Sequence, residues 1–447
     1  MVSRIPKPLH RVAGVPMLDH VLRASTAASP AHTVVVVSPD MPDLAALVSS
    51  HPGITTVVQE TPRGTGDAAR RGLAVLDRAA WAVVLFADHP LLTAETVGRL
   101  IEGARGTGAR VTVLTCILHE RGAYGRIARD ERGRSVGIVE ASDDGAAFLN
   151  GPAEINSGMM VIDVAWARGA LQRLAPSAGS GEIYLTDLVG LAVEDGPLPN
   201  GGWPVMTVQG EPETALGVND RRQLGIADGI ARGRIHDELM ASGVTLIGPE
   251  TILVDAGVTV GADTTILPFS YLRAGTSIGE GCEIGPHAMI AGSTIGDGVT
   301  IRASTIEGAV IATGSDVGPY SHLRGGSDVG EGVHIGNFVE VKSAQIATGV
   351  KIGHVSYIGD ATVGAEANIG AGAITANFDG SRKHHTEIGA GAFIGSGTVL
   401  RAPLRVGDGA TTGAGSVVTR DVPDRATVVG VPARVVERRP DEGEERG

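Results

Sequence analysis

Apolar residues recur along the second half of the chain at a fixed spacing. Ile278, Ile295, Val329, Ile346 and Val363 stand seventeen residues apart or at twice that distance. Between them the chain repeats a hexad of one apolar residue, one Gly and four small or polar residues. Examples are Ile278-Gly-Glu-Gly-Cys-Glu283, Ile284-Gly-Pro-His-Ala-Met289, Val329-Gly-Glu-Gly-Val-His334, Ile352-Gly-His-Val-Ser-Tyr357 and Ile394-Gly-Ser-Gly-Thr-Val399. Two hexads and a third shortened by one residue make a coil of seventeen. A six-residue period of this kind predicts a solenoid, specifically a parallel β-helix. Each hexad is then one short strand on a flat face. Its first residue points inward, and the Gly after it lets the chain turn a tight corner. Ile and Val stack in columns about 4.8 Å apart, and burying each contributes roughly 1.5–3 kcal/mol.

The first half has a different rhythm. Val34–Ser38, Val83–Asp88 and Val111–Thr115 read as buried strands, and Met17–Ala27, Asp67–Arg78 and Ala94–Gly103 as helices between them. Continuous apolar strands alternating with helices predict a mostly parallel sheet covered on both faces. Asp220 to Gly243 reads as a helix, with Leu224, Ala227, Ile230, Ile235 and Leu239 as its apolar positions. The expected organisation is an α/β Rossmann-like domain over residues 1–219, a linker helix over 220–243, the β-helix over 244–436 and a disordered charged tail over 437–447. The hexad register breaks once, between Ile369 and Ile388. The segment from Thr375 to Glu387 is expected to leave the helix as a loop, and it carries Arg382, Lys383, His384 and His385. Long loops on a solenoid commonly carry function.

Composition narrows the possibilities. A chain of 447 residues is too long for one ordinary core. With 65 Gly and 3% aromatics it suits a β-helix, whose interior admits few rings. A net charge of −13 argues against nucleic acid as a partner, so any phosphate ligand must be met by local Lys and Arg. Two cysteines, Cys116 and Cys282, give no disulfide framework, which fits a cytoplasmic protein. No apolar run is long enough to span a membrane and no signal peptide opens the chain.

Several short motifs follow one another in order. They are Ile5-Pro-Lys-Pro-Leu-His10, Gln59 with Gly64-Thr-Gly66, Phe86-Ala-Asp-His-Pro-Leu-Leu92, Tyr124-Gly-Arg-Ile127, Gly137-Ile-Val-Glu140, Glu154-Ile-Asn-Ser-Gly158 and Gly217-Val-Asn-Asp220. In the β-helix they are Gly353-His-Val-Ser-Tyr-Ile-Gly-Asp360, Asn368-Ile-Gly-Ala-Gly372 and Ala376-Asn-Phe-Asp-Gly380. With these motifs the chain to about Val436 resembles the bacterial bifunctional N-acetylglucosamine-1-phosphate uridylyltransferase / glucosamine-1-phosphate N-acetyltransferase family. The resemblance implies a nucleotidyltransferase domain followed by a left-handed β-helix of hexapeptide repeats, assembled as a homotrimer. It implies acetylation of glucosamine-1-phosphate by acetyl-CoA, then uridylyl transfer from UTP with Mg²⁺. The product, UDP-N-acetylglucosamine, feeds peptidoglycan and other envelope polymers.

The resemblance also assigns residues. His354 is the expected base for acetyl transfer, a reaction that needs a free amine and a group titrating near neutrality. Arg324, Lys342, Tyr357, Asn368 and Lys383 would bind the sugar phosphate, and Ala371, Asn377, Phe378, Ser396 and Ala414 the acetyl-CoA. Asp88 and Asn219 would hold Mg²⁺. Lys7 would meet phosphate, Gln59, Gly64 and Thr65 the uracil, and Gly125, Glu140 and Asn156 the sugar. An Asp at a strand end, such as Asp88, also serves as a helix cap.

The chain departs from the family at three places. Phe378 stands where a Tyr is usual, and about Gly430 stands where an Arg is usual. The family opens with an apolar strand and a Gly-rich loop bearing an Arg that cradles the triphosphate. This chain begins at that motif's Met, through a displaced start codon or a natural loss. The expectation is that the chain acetylates glucosamine-1-phosphate but shows little or no uridylyl transfer, and that strands beside the missing one have unpaired edges. Two rival readings fit parts of the pattern: a nucleotidyltransferase for another sugar with the β-helix as trimerisation scaffold, and a purely structural trimer.

Overall fold

A computed structural model describes residues 1–76, 78–119, 124–140, 152–177 and 181–436, so the expected tail over 437–447 lies outside the described residues. The chain divides into two compact units, Met1–Ala231 and Arg232–Gly447. The division falls inside the helix Arg221–Ala241.

The second unit is a three-sided parallel β-helix, with sheets of twelve, ten and nine short strands. Strands pair with the equivalent strand one coil later until the end, where Thr427–Gly430 pairs antiparallel with Ala433–Val436. Ile335 pairs with Ile352 and Ile352 with Ile369 on the first face. Leu323, Val341 and Ile358 form the column on the second face, and Val329, Ile346 and Val363 on the third. The period flexes around seventeen: Ile284 pairs with Ile301, Ile301 with Val317 and Val317 with Ile335, steps of seventeen, sixteen and eighteen residues. One coil is longer, because Ile369 pairs with Ile394. The expected loop within it is shorter at both ends than the sequence indicates. Ile374–Ala376 and Thr386–Ile388 are ladder strands, which leaves 377–385 outside the sheets.

The inward columns are buried almost completely: Ile284, Ile301, Leu323, Val329, Ile335, Val341, Ile352 and Val363 are all 0% exposed. The hexad Gly serves two purposes. Gly285 and Gly318 take a positive φ (104° and 107°), the corner expected of them, whereas Gly279 and Gly389 are outside the left-handed region and need no special backbone. A Cβ on Gly279 would lie 2.2 Å from Asp297 Oδ1, and one on Gly389 would lie 2.4 Å from Asp408 Oδ1. Those carboxylates accept from the backbone N–H of Glu280 (2.8 Å) and Ala390 (2.9 Å) in the coil before. The Gly therefore makes room for the next coil and for the Asp that satisfies a corner N–H. At the start of this unit Leu239 packs into the helical core, and Arg232 donates to Val254 O (2.8 Å) and Asp255 Oδ1 (3.1 Å).

In the first unit Val205–Gln209 runs parallel to Val111–Leu118, which runs antiparallel to Ala153–Asp163. The far side of Ala153–Asp163 pairs antiparallel with Trp81–Val84 and, near its start, with the hairpin Arg126–Arg129 and Ser135–Val139. The sheet is thus mixed where a mostly parallel one was expected. Within Ala153–Asp163 the stretch Met159 to Ile162 is apolar on both faces, so those side chains read like a parallel strand, and periodicity carries no direction. Met160 and Ile162 pack with Leu73, Leu171 and Leu188 on one face; Met159 and Val161 pack with Val21, Val97 and Leu100 on the other. Thr33–Val37 forms a separate parallel pair with Ile54–Val58. Among the described residues Thr33–Val37 and Trp81–Val84 each have one strand neighbour only, and both are largely half-buried. No described helix is long and apolar enough to cross a membrane.

Candidate active sites

On the β-helix, stacking brings the expected residues together. His354 ends the strand Lys351–His354, and Asn337 occupies the same position one coil earlier. His354 is exposed, and its Nδ1 donates to Asn337 Oδ1 at 2.6 Å. With Asn337 Oδ1 as the acceptor Nδ1 carries a proton, so Nε2 is the ring nitrogen that can act as a base. On the neighbouring face Arg324 follows Leu323, and Lys342 lies in register with Gly359 and Glu340 with Tyr357. Arg324 donates to Glu340 Oε1 at 2.8 Å. Lys342 is pushed below the ordinary lysine range, first by Lys383 and then by Arg324, and the Lys383 ammonium stands 3.9 Å from Asp360 Oδ2. Three basic groups thus crowd one place, an arrangement that a phosphate would relieve. Asn368 stands elsewhere: it is on the first face, in register between Lys351 and Phe393.

The loop at 377–385 is organised by Asp379. Its carboxylate accepts from Ser381 N (2.8 Å), Arg382 N (2.9 Å), Ser381 Oγ (2.9 Å) and His384 Nε2 (2.6 Å), and these hold it well below the usual carboxylate range. The loop closes through a bridge between Phe378 and Lys383. Asn377 is buried and donates to Asp360 Oδ2 and to Tyr357 Oη (3.4 Å), tying the loop root to the sugar-phosphate residues. Phe378 is 61% exposed. Ala371, Ser396 and Ala414 each stand two places after Ile369, Ile394 and Thr412, which pair in sequence, so the three share one edge of the helix. Gly397 N donates to Ala371 O (2.7 Å) and Gly415 N to Ser396 O (2.8 Å) along that edge.

In the first unit Lys7, Asp88 and Asn219 converge. The Lys7 ammonium pairs with Asp88 Oδ2 and donates to Asn219 Oδ1 at 2.6 Å. Val218 N donates to Asp88 O at 2.9 Å, which locks the two segments together. Burial would raise the Asp88 pKa, but His89 and Lys7 hold it well below the usual range. His89 Nδ1 lies 2.9 Å from Asp88 Oδ1. Asp88 does not cap a helix; the next one, Ala94–Thr107, is capped by Thr93, whose side chain accepts from Thr96 N. Gln59 Nε2 donates to Asp67 Oδ2 (2.9 Å) and Gly64 O (3.3 Å). Gly64 has φ 103°, and a Cβ there would lie 2.5 Å from Ile183 O. Thr65 Oγ1 accepts from Leu185 N at 3.0 Å. Gly125 O accepts from Asn156 N (2.8 Å), and a Cβ at Gly125 would come within 3.2 Å of Glu140 Oε2, so Gly125, Glu140 and Asn156 form one cluster.

The pattern of the MobA-like NTP transferase domain matches residues 1–146, and that of the bacterial transferase hexapeptide (six repeats) matches 257–292 and 385–420. The bifunctional protein GlmU of Alkalilimnicola ehrlichii is 40% identical over 455 residues, covering 99% of this chain and 96% of its own. The chain belongs to the bifunctional GlmU family. The GlmU proteins of Trichlorobacter lovleyi (41% identical; 95% of this chain, 91% of its own) and Nocardia farcinica (39%; 98% and 89%) agree. HddC of Yersinia pseudotuberculosis is a more distant likeness, at 15% identity and a TM-score of 0.38 over 52% of this chain and 92% of its own. Within the GlmU family the fold is a nucleotidyltransferase domain joined to a left-handed hexapeptide β-helix, and the chain is a transferase.

Asp88 and Asn219 fit a Mg²⁺ site by donor chemistry. Both present an oxygen to one cation, the Lys7 ammonium, from a carboxylate and an amide. Among the described residues no three His, Cys, Asp or Glu side chains cluster as a metal cage. Mg²⁺ needs only one or two protein oxygens and completes its shell with water and substrate phosphates. Three hydrogen-bond partners of the expected site residues escaped the sequence: Asn337, His89 and Asp67. Asn337 was visible in principle, as the residue seventeen places before His354; the other two depend on the fold.

Proposed function

We propose that the chain makes UDP-N-acetylglucosamine in two steps, acetylating glucosamine-1-phosphate with acetyl-CoA and then transferring a uridylyl group from UTP. The observation that carries the first step is the His354–Asn337 bond, because it leaves Nε2 as a base on a rigid coil. His354 Nε2 takes the proton from the sugar amine as its nitrogen attacks the thioester carbonyl. The C–S bond breaks and coenzyme A leaves as the thiol once its sulfur receives a proton. Arg324, Lys342 and Lys383 hold the sugar phosphate, and Tyr357 and Asn368 line the remainder. The edge formed by Ala371, Ser396 and Ala414, with Asn377 and Phe378, receives acetyl-CoA. Phe378 offers a ring without a hydroxyl, so affinity for the coenzyme rests on packing there.

In the second step the phosphate of N-acetylglucosamine-1-phosphate attacks the α-phosphorus of UTP and pyrophosphate leaves. Mg²⁺, held by Asp88 and Asn219, supplies charge neutralisation for the phosphates when bound. Lys7 stands against both residues and would turn to the phosphates. Gln59, Gly64 and Thr65 receive the uracil, and Gly125, Glu140 and Asn156 the sugar. The assembled Lys7, Asp88 and Asn219 group and the near full-length match to GlmU relatives support this step, against the little or no uridylyl transfer expected from the sequence. The protein works as a cytoplasmic homotrimer, with acetyl-transfer sites completed between subunits and a product that supplies peptidoglycan synthesis; two free buried cysteines fit that compartment. Replacing His354 by Ala tests the base: thiol release should fall while the fold persists. Light scattering that found an active monomer would remove the trimer.

A further inference from the structure

Asp67 is an oddity in the first unit. It lies near the start of the helix Thr65–Ala74, yet its residue is 1% exposed and its carboxylate is engaged on every side. Arg71 Nε donates to Oδ2 at 2.9 Å, Arg70 donates to Oδ1, and Gln59 Nε2 donates to Oδ2 at 2.9 Å. A buried carboxylate held by two guanidinium groups is ionised at any working pH. Burial pulls its pKa upward, but Gln59, Arg71 and Arg70 hold it down to about 2.

An ionised carboxylate accepts hydrogen bonds and cannot donate one. The second acceptor near Gln59 Nε2 is a backbone carbonyl, Gly64 O, at 3.3 Å. Both partners of the amide nitrogen are therefore acceptors. Turning the amide over would set Oε1 against the Asp67 carboxylate and leave that buried charge short of a donor, which is strongly unfavourable. Gln59 is half-buried, so its remaining polar atom, Oε1, is a fixed acceptor at the site.

We infer that Asp67 is a specificity-determining positioning residue, which fixes the Gln59 amide so that Oε1 accepts from the imide N3–H of uracil and rejects a base with a bare nitrogen there. This rests on the reading of Gln59 as part of a nucleotide site. Cytosine presents an acceptor at N3 and would face Gln59 Oε1 lone pair to lone pair. Sites built on such a bond reject the wrong partner strongly, because a polar group is left unpaired.

The test uses the full-length chain and calorimetric binding of UTP, CTP and N3-methyl-UTP with Mg²⁺, alongside pyrophosphate release. The parent should bind UTP at least about 100-fold more tightly than the other two. Asp67→Asn keeps the shape but can donate as well as accept, so the amide is free to turn. The UTP-to-CTP ratio should fall at least tenfold, and the fall should come mainly from improved relative binding of CTP. A ratio that stays constant, whether both affinities hold or both drop together, would reduce Asp67 to a structural role and overturn the inference. Should Asp67→Asn not fold, the parent decides: equal binding of UTP and N3-methyl-UTP overturns it. Binding with the expected selectivity but no pyrophosphate release would defeat the uridylyl-transfer reading while leaving this one standing.

Discussion

The two halves of this molecule build their sites on different principles. On the β-helix His354, Arg324 and Lys342 sit on coils whose inward positions do the folding. His354 and Asn337 are one coil apart and touch because Ile352 and Ile335 stack beneath them. In the α/β half Asp88 and Asn219 lie 81 and 212 residues from Lys7, and their meeting depends on the whole sheet. There the site groups also hold the structure, through the Lys7–Asp88 pair and the bond from Val218 N to Asp88 O. A site on a solenoid can therefore lose its chemistry without losing its fold, whereas substitution in the α/β site touches both.

The sharpest way to break this contrast is His354→Ala. Thiol release from acetyl-CoA with glucosamine-1-phosphate should fall roughly 10²–10⁴-fold in kcat, with the thermal transition unmoved. A large drop in Tm would place His354 in the fold as well. Asp88→Asn should reduce Mg²⁺-dependent pyrophosphate release by about 10²–10³-fold, the scale seen on removing one preorganised group. Unlike His354→Ala it should also lower the stability of the α/β half, because an ionic partner of Lys7 is lost; Mn²⁺ binding followed by electron paramagnetic resonance gives a readout independent of turnover. Turning inward on the solenoid reverses the outcome: Ile352→Ala, at a fully buried position, should cost about 2–5 kcal/mol in urea unfolding.

The smallest effect concerns acid. Asp67 has a folded pKa of about 2, below the ordinary aspartate value of about 3.9. A depressed carboxylate contributes stability that is complete above its unfolded pKa and is lost as the pH falls from about 4 towards 2. Asp67→Asn should therefore be less stable at neutral pH, with a shallower acid limb. Urea midpoints at pH 7 and pH 3 for both proteins check this, and parallel limbs would contradict it.

The β-helix was legible because its folding signal is periodic and local: Ile278 to Val363 mark the columns, and the break after Ile369 marks the loop. The step of sixteen to eighteen residues, rather than a strict seventeen, was less visible because each face can lengthen or shorten its corner. The corner role of the Gly held at Gly285 and Gly318, but its second role at Gly279 was hidden, since the clash of a Cβ with Asp297 belongs to the next coil. In the α/β half the antiparallel run of Ala153–Asp163 was hidden, as a strand buried on both faces has the same pattern in either direction. The roles of His89 and Asp67 were hidden for another reason: each acts through a bond to a residue whose position the fold decides.

The central claim is that one chain carries two independent chemistries, metal-free acetyl transfer on the β-helix and Mg²⁺-dependent uridylyl transfer on the α/β half. The most direct measurement follows both in the unmodified protein, thiol release from acetyl-CoA and glucosamine-1-phosphate, and pyrophosphate release from UTP and N-acetylglucosamine-1-phosphate, each with Mg²⁺ and with excess chelator. The account predicts that chelator abolishes pyrophosphate release and leaves thiol release unchanged. Pyrophosphate release that is absent with Mg²⁺ or survives the chelator, or thiol release that falls with it, would contradict the account.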